Sequence, residues 1–285
     1  MSEVTTGELF GRAWKVVLGI PGVASFKDAV DLSSLDIEFR ATRNLKPEPN
    51  TVELTIFNAS EATRNIFGDA AKNTLLLQAG YKSTGVSTIF QGEVRSAVSR
   101  HDGVNWETVV RAGDGEKKIK ARIALTFGPQ VSTGDAIRQI AKKMGIKPGN
   151  LDRAVQGLKL KGVADIYPQG GALVGNAWRE LQSVARSAGL EVSIQDGALQ
   201  LLELNSPSSD KAILISKDSG MIASPEVNAD GRVTVNTLML PGLKPGVKVD
   251  LRSSTVSGGF RVEECEYSGQ SRGEDWGIRA TLRRY

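Results

Sequence analysis

Few residues in this 285-residue chain have side chains suited to catalysis, and they lie far apart in the sequence. The only histidine, His101, belongs to the polar stretch Ser99–Asn105, which predicts a turn between two strands. Ser99 and Asp102 supply the other residue types of a Ser-His-Asp set. Such a set works only when the fold orients the three groups toward one another. We therefore predict that His101 is an exposed turn residue and not a general base.

Metal binding is equally poorly supported by the residue types. One histidine and one cysteine, Cys265, are too few for a zinc site with ordinary ligands. The acidic run Glu263–Glu266 has oxygen ligands, but neighbouring residues of a strand point to opposite faces and divide the group. Cys265 lies in an alternating segment, which predicts a small buried side chain, and a single cysteine cannot form an internal disulfide. The sequence thus predicts no catalytic, cofactor-binding or metal residues.

Sequence motifs and charge point the same way. No GxGxxG, GxxxxGK[ST], GxSxG or HExxH pattern is present, and Gly113–Gly115 and Gly170–Gly171 are interpreted as turn glycines. The net charge is +4 and the isoelectric point is about 9.1. The densest basic cluster, Lys117–Arg122, lacks the interleaved aromatic residues of a nucleic-acid platform, so we interpret it as a solvated strand face. The sequence predicts neither an enzyme nor a specific nucleic-acid site.

The composition is typical of a folded, β-rich chain. Hydrophobic residues make up 40% of the sequence, and 31 glycines suit many tight turns between short strands. No apolar run reaches the roughly 18 residues that a membrane span needs, and the N-terminal residues lack the pattern of a secretion signal. We therefore expect no membrane span.

Apolar residues alternate with polar ones through most of the chain, which predicts strands with one buried face. These predicted strands are Ala13–Ile20, Leu35–Ala41, Thr51–Phe57, Leu75–Tyr81, Phe90–Val94, Trp106–Arg111 and, after a boundary near residue 210, those of a second β-region. Ser60 predicts the cap of a short helix over Glu61–Phe67 that ends at Gly68.

The middle of the chain has a different pattern. A helix capped by Ser132 or Thr133 is predicted to end at Gly145, and a second helix over Leu173–Ala188 to end at Gly189. The dipeptide Asp196-Gly197 separates two alternating segments, which predicts a β-hairpin. These elements indicate a small α+β domain.

Two parts of the chain share one plan, which indicates an internal repeat. In each, three apolar segments are followed by a polar turn and then by a strand that begins with tryptophan. The first copy covers residues 51–111 and ends on the Trp106 strand. The second covers residues 232–283 and ends on the Trp276 strand.

Several of these segments resemble the baseplate hub proteins of long-tailed phages, of the T-even hub and late-control-D type. The resemblance rests on Asn50–Asn58, Leu77–Tyr81, Ile89–Val94 and the Trp106 strand followed by Ala112–Gly115. The helix and hairpin of residues 173–204 are similar to the segment between the two barrels of such hubs. The hairpin from Phe260 to Trp276 is similar to their C-terminal barrel.

This resemblance implies a β-rich α+β fold with two similar antiparallel, tail-tube-like β-barrel domains flanking a small α+β domain. The implied division is residues 1–118, 119–210 and 211–285. It also implies a homotrimer whose six barrels form a pseudo-sixfold ring. Such a ring adapts the tail tube or a distal tube protein to a threefold spike or tip protein, with the tape-measure protein as a further partner. The location is the virion tail, after assembly in the host bacterial cytoplasm.

Departures from the family pattern leave alternatives open. The first copy carries a helical insert, Ala59–Asn73, that the second copy lacks, so any sixfold match is approximate. Another structural protein of a tail or injection system, such as a distal tail protein, is one alternative. A polymer-binding module that grips nucleic acid or cell wall through residues 125–205 is the other. Arg279, Thr281 and Arg283 share a strand face that lines either a channel or an interface.

Overall fold

The computed structural model describes residues 9–21, 26–46, 48–67, 74–160, 166–167, 169–208, 211–240 and 242–285. The chain divides into two compact units. The sheet unit comprises Met1–Asn44, Asn50–Asp114 and Pro207–Tyr285. The middle unit comprises Leu45–Pro49 and Gly115–Ser206.

The first part of the sheet unit follows the predicted alternation, because one face of each strand is buried. Phe39 pairs with Leu54 across two antiparallel strands, and both side chains are buried. Ser60 caps a short helix by accepting a hydrogen bond from the Thr63 N–H at 3.2 Å, as predicted. Its predicted end, Gly68, lies outside the described residues. The elements are β1 Arg12–Pro21, β2 Phe26–Asp31, β3 Ile37–Asn44, β4 Thr51–Phe57, α1 Glu61–Ile66, β5 Thr74–Tyr81, β6 Gly85–Asp102 and β7 Asn105–Gly113.

The middle unit contains four helices and three two-stranded sheets among its described residues. Ser132 accepts a hydrogen bond from the Asp135 N–H at 3.0 Å, and Gly145 ends the helix in the left-handed conformation, as predicted. The elements are α2 Glu116–Ile119, β8 Arg122–Phe127, β9 Val131–Ser132, α3 Thr133–Met144, α4 Leu151–Leu160, β10 Ile166–Tyr167, β11 Gly171–Asn176, α5 Ala177–Ser187, β12 Leu190–Gln195 and β13 Ala198–Glu203.

Two predictions for the middle unit need correction. The helix expected from Leu173 begins only at Ala177, because residues 171–176 form β11 and pair with β8. The helix α4 was not predicted. The hairpin prediction is confirmed: Asp196 and Gly197 both have positive φ, as a two-residue type I′ turn requires.

The last part of the chain returns to the sheet unit. Its strands alternate buried and exposed side chains, most clearly in the strand that begins at Trp276. They are β14 Ala212–Ser216, β15 Glu226–Val227, β16 Val233–Leu238, β17 Lys248–Arg252, β18 Ser257–Gln270 and β19 Trp276–Arg284.

Both ends of the chain build one 13-stranded sheet, which confirms the β-rich prediction. The main order is β15-β16-β19-β18-β3-β4-β7-β6-β5-β1-β2, and β17 joins β18 and, in parallel, β14. Two separate barrels are not confirmed: within the described ranges the order is an open path without a closed barrel. The two copies are not separate because β3 joins them: it pairs with β4 on one edge and with β18 on the other. The division at residues 118 and 210 stays a prediction.

A single hydrophobic core underlies this sheet. It takes side chains from both repeat copies, including the fully buried Phe90 and Phe260. A separate core fills the middle unit, around Ile137, Trp178 and Leu181. Among the described helices, none combines the length and apolar character needed to cross a membrane.

Candidate assembly surface

His101 lies in a strand and not in the predicted turn. The strand β6 continues to Asp102, and only Gly103 and Val104 separate it from β7. His101 is exposed, as predicted, and its ring meets the Trp106 ring edge-on at 5.1 Å between centroids. This arrangement is a cross-strand aromatic pair.

Cys265 is a buried core residue, as its alternating segment predicts. Its Sγ lies 4.0 Å from the Leu243 carbonyl oxygen, and burial raises the pKa of the thiol to about 12. A thiol with such a pKa stays protonated and unreactive near neutral pH. Among the described residues, no group of three His, Cys, Asp or Glu side chains is placed to hold a metal ion.

Glu263 is the one acidic residue of the run 263–266 that collects a cluster of arginines. The Nε of Arg232 donates to its Oε2 at 2.6 Å, while the guanidinium groups of Arg261 and Arg283 each lie 3.5 Å from its Oε1. Burial opposes ionisation of Glu263, but the hydrogen bond and charge of Arg232, with the charges of Arg283 and Arg261, outweigh it. The pKa of Glu263 is therefore lowered. Sequence reasoning missed this cluster because its members come from β18, from β19 and from Arg232 just before β16.

We expect Glu263→Gln to lower the free energy of unfolding by about 1–3 kcal/mol at neutral pH, since a charge-assisted hydrogen bond is lost beside the buried Arg261. A lowered carboxyl pKa stabilises the fold fully above the usual value of 4.5, and this contribution disappears as the pH falls toward the folded-state pKa. Urea unfolding across this pH range should therefore show a flatter profile for the variant. Glu266→Gln, at an exposed position of the same strand, is the control. Equal pH dependence of the native chain and Glu263→Gln would contradict this role.

The basic cluster Lys117–Arg122 does not form the predicted strand face. Lys118 lies in the short helix α2, and a strand begins only at Arg122. Gly115 and Gly170 both have positive φ outside the strands, in agreement with their interpretation as turn glycines, whereas Gly113 lies within β7 and Gly171 within β11.

The predicted repeat corresponds to a repeated arrangement of strands. We call β4, β5, β6 and β7 the first copy, and β16, β17, β18 and β19 the second copy. Hydrogen bonding orders the first copy as β4-β7-β6-β5 and the second as β16-β19-β18-β17, with every pair antiparallel. The four strands of each copy therefore share both chain order and sheet order.

A β-bulge occurs at the same place in both copies. In β6 the register shifts between Val94 and Ser96, and in β18 between Val262 and Glu264. Ser96 lies opposite Arg111, which follows Trp106 by five residues; Glu264 lies opposite Thr281, which follows Trp276 by five residues. Bulges redirect a strand and increase its local twist, so equal placement bends both copies alike. The extra residues are Arg95 and Glu263, which the sequence alone did not single out.

The two tryptophans that begin the last strand of each copy have different surroundings. Trp276 is only 5% exposed, and its Nε1 donates to the Gly80 carbonyl at 3.2 Å. Phe39, from the inserted strand β3, packs against it edge-on at 5.6 Å. Trp106 is 36% exposed, with Arg64 stacked 3.9 Å above its ring. Trp276 is thus enclosed by residues of other strands, among them Phe39 of β3, whereas about a third of the Trp106 side chain stays exposed.

Polar side chains occupy the sheet face opposite the core. Arg279 and Arg283 are exposed there, with Thr281 half-buried between them, as their alternation predicts. In the first copy, the Nε of Arg111 binds Glu53 at 2.7 Å on the same face. A groove of about 520 Å³ lies on this face, lined mainly by residues of β3, β4, β7 and β18. This face therefore combines exposed arginine side chains with a groove lined by polar and charged residues.

Comparison with solved structures finds similar folds over nearly the whole chain. A tail protein from Neisseria meningitidis MC58 has a TM-score of 0.66 at 10% identity, covering 96% of this chain and 97% of that one. The 43 kDa tail protein of prophage MuSo2 from Shewanella oneidensis has 0.61 at 11%, covering 95% and 98%. The E. coli c3393 protein, a type VI secretion component described as similar to T4 tail proteins gp27 and gp5, has 0.58 at 8%, covering 94% and 76%.

At these identities the likeness concerns the fold alone. A search of curated proteins finds no match. The family model for baseplate hub gp41, however, matches residues 14–281, which include the first copy, the middle unit and all but the last few residues of the second copy. On this match the chain belongs to the baseplate hub gp41 family.

Proposed function

We propose that this chain is a structural hub subunit that assembles as a homotrimer and adapts a sixfold tail tube to a threefold spike. Membership of a baseplate hub family makes the chain a component of the phage tail. In the proposed assembly, three chains contribute six repeat copies to one pseudo-sixfold ring. One end of the ring meets the tube or a distal tube protein, and the other meets the spike or tip protein.

The observation that carries this proposal is the shared strand order of the two copies, with the bulge at the same position. Two copies per chain allow three chains to present six equivalent surfaces, and closed symmetric rings are the common form of protein assemblies. A distal tail protein with one copy per chain would need six chains. The presence of two copies therefore favours the hub over that alternative. The spike-side partner is supported by similarity to one chain of a PdpA–VgrG complex, with a TM-score of 0.55 at 11% identity, where this chain covers 65% of that one.

The polymer-binding alternative has less support from the fold. The basic cluster Lys117–Arg122 lies outside residues 125–205 and is split between a helix end and a strand start, and the exposed aromatic residues Phe10, Trp106 and Tyr285 lie in the sheet unit. The tape-measure protein stays a proposed further partner, and host cytoplasm the proposed place of assembly.

Mass measurement of the co-expressed complex tests the stoichiometry. We expect three copies of the 30.5 kDa chain for each spike trimer and for each ring of six tube subunits, measured by native mass spectrometry. The measurement needs the tail partners, because a hub chain can stay monomeric until it binds them. A monomer of the isolated chain would therefore agree with the proposal. Six copies per tube ring, or a chain that joins neither partner, would overturn the proposal.

A further inference from the structure

One difference between the two copies concerns the pairing of the outer edge of their longest strand. In β18, residues Glu264–Gln270 pair with β19 on one edge and with β3 on the other. The equivalent residues of β6, Ser96–Asp102, pair with β7 on one edge. Within the described ranges, no strand pairs with their other edge.

Exposure along this part of β6 agrees with a missing neighbour. Residues 98–102 of β6 are all exposed, and Val98 is 57% exposed although it is apolar. In β18, Cys265 and Tyr267 occupy the positions equivalent to Ala97 and Ser99, and both are buried. An exposed strand edge with unpaired backbone groups is a ready template for another strand.

The second copy includes a neighbouring strand, β15, with one edge that no strand of the described chain pairs with. β3 precedes the first copy and pairs with β4; in the same way β15 precedes the second copy and pairs with β16. The other edge of β3 is occupied by β18, whereas β15 ends the sheet of the described chain. Val227, on β15, is apolar and 60% exposed. β15 therefore occupies the same position beside the second copy that β3 occupies beside the first.

We propose that residues 226–228 of one chain, which follow Pro225, pair antiparallel with Val98–Arg100 of the next chain in the ring. This inference rests on the proposed trimer and names the contact that closes it. The link between the copies within a chain, β3 on β18, would alternate with the link between chains, β15 on β6. Three links of each kind join six copies into a ring and leave no edge of this type open.

The register of the internal link predicts the register between chains. Within the chain, Arg40 of β3 lies opposite Ser268. The ladders of the two copies make Glu226 equivalent to Arg40 and Arg100 equivalent to Ser268. The proposed pairing therefore places Glu226 opposite Arg100, two exposed side chains of opposite charge. Opposite charges directly across an antiparallel pair are favourable, and nothing in deriving the register required them.

A pair of introduced cysteines tests this contact. In the complex assembled with tube and spike proteins, Arg100→Cys together with Glu226→Cys is expected to form disulfides between chains and give covalent dimers and trimers on a non-reducing gel. Directly opposed residues meet the Cα separation of about 4.4–6.8 Å that a disulfide needs. Cys265 is buried and does not interfere. The two positions are seven strands apart along the sheet, so a disulfide within one chain is not expected.

Ser96→Cys with Glu226→Cys is the matched control, because four residues along a strand displace the thiol by about 13 Å. Three chains per ring without the Arg100–Glu226 cross-link, or with equal cross-linking of the control, would overturn this pairing and leave the proposed function standing. Absence of any three-chain ring would overturn the proposed function itself. Arg100→Glu is expected to lower the assembled fraction several-fold, and Arg100→Glu with Glu226→Arg to restore it.

Discussion

Replacing Trp276 by alanine is expected to lower the free energy of unfolding of the sheet unit by about 3–5 kcal/mol, the usual cost of removing a buried tryptophan. The indole is almost fully enclosed, and its ring centroid lies 5.6 Å from that of Phe39 and 6.2 Å from that of Trp14. Truncation leaves a cavity between them and removes the donor to the Gly80 carbonyl. Chemical unfolding followed by circular dichroism measures the loss.

Trp106→Ala is the matched control, since Trp106 begins the equivalent strand of the first copy. Its indole is 36% exposed and is covered mainly by the Arg64 guanidinium, so we expect a loss of about 1 kcal/mol. This contrast follows from the side chains of Phe39 and Trp14, which enclose the Trp276 ring. Equal losses for the two substitutions in the isolated chain would show that the two copies are packed alike and would contradict the description.

Replacing Arg43 by alanine is expected to cost about 3–5 kcal/mol, the second large effect. Arg43 is 1% exposed, and its Nη1 donates to the Ile89 carbonyl at 3.0 Å and to the Thr88 carbonyl at 3.3 Å. The substitution leaves buried acceptors with lost donors and opens a cavity beneath the sheet. Unfolding free energy and thermal midpoint are the measurements.

Two further variants separate the causes. Arg43→Met keeps most of the volume and loses the donors, so we expect it to cost about 1–3 kcal/mol in total, less than Arg43→Ala, which also opens a cavity. Arg40→Ala changes an exposed residue of the same strand and is expected to cost less than about 0.5 kcal/mol. A fully stable Arg43→Met would show that packing alone makes Arg43 important.

Local patterns predicted most strands of the sheet unit because burial of one face imposes alternation. The same alternation contained an overlooked signal: Ile37, Phe39 and Ala41 occupy the core face, so the next residue on that face, Arg43, had to be buried. The polar stretch 99–105 predicts a long turn, although 99–102 belong to β6, because its strand residues are exposed and polar. These residues of β6 pair with a strand on one edge only, so they do not show the alternation of buried and exposed side chains that predicts a strand.

The sequence did not predict which strands pair when the paired residues lie far apart in the chain. Leu173 and Val174 fit the apolar spacing of the following helix, yet pairing with Leu125 and Ala124 of β8 makes them a strand. The position of β3 between the two copies likewise depends on partners more than 200 residues away in the chain, such as Tyr267 opposite Ala41. In contrast, the repeat was visible in the sequence, because the last strand of each copy begins with tryptophan after the same series of apolar segments and a polar turn.

Electron microscopy of the chain assembled with its tube and spike partners tests the central claim most directly. The account predicts a ring of three chains with six similar lobes, in which each first copy adjoins the second copy of a neighbouring chain. A ring with one lobe per chain, or particles in which the two copies of a chain occupy unlike environments with no ring around an axis, would contradict it.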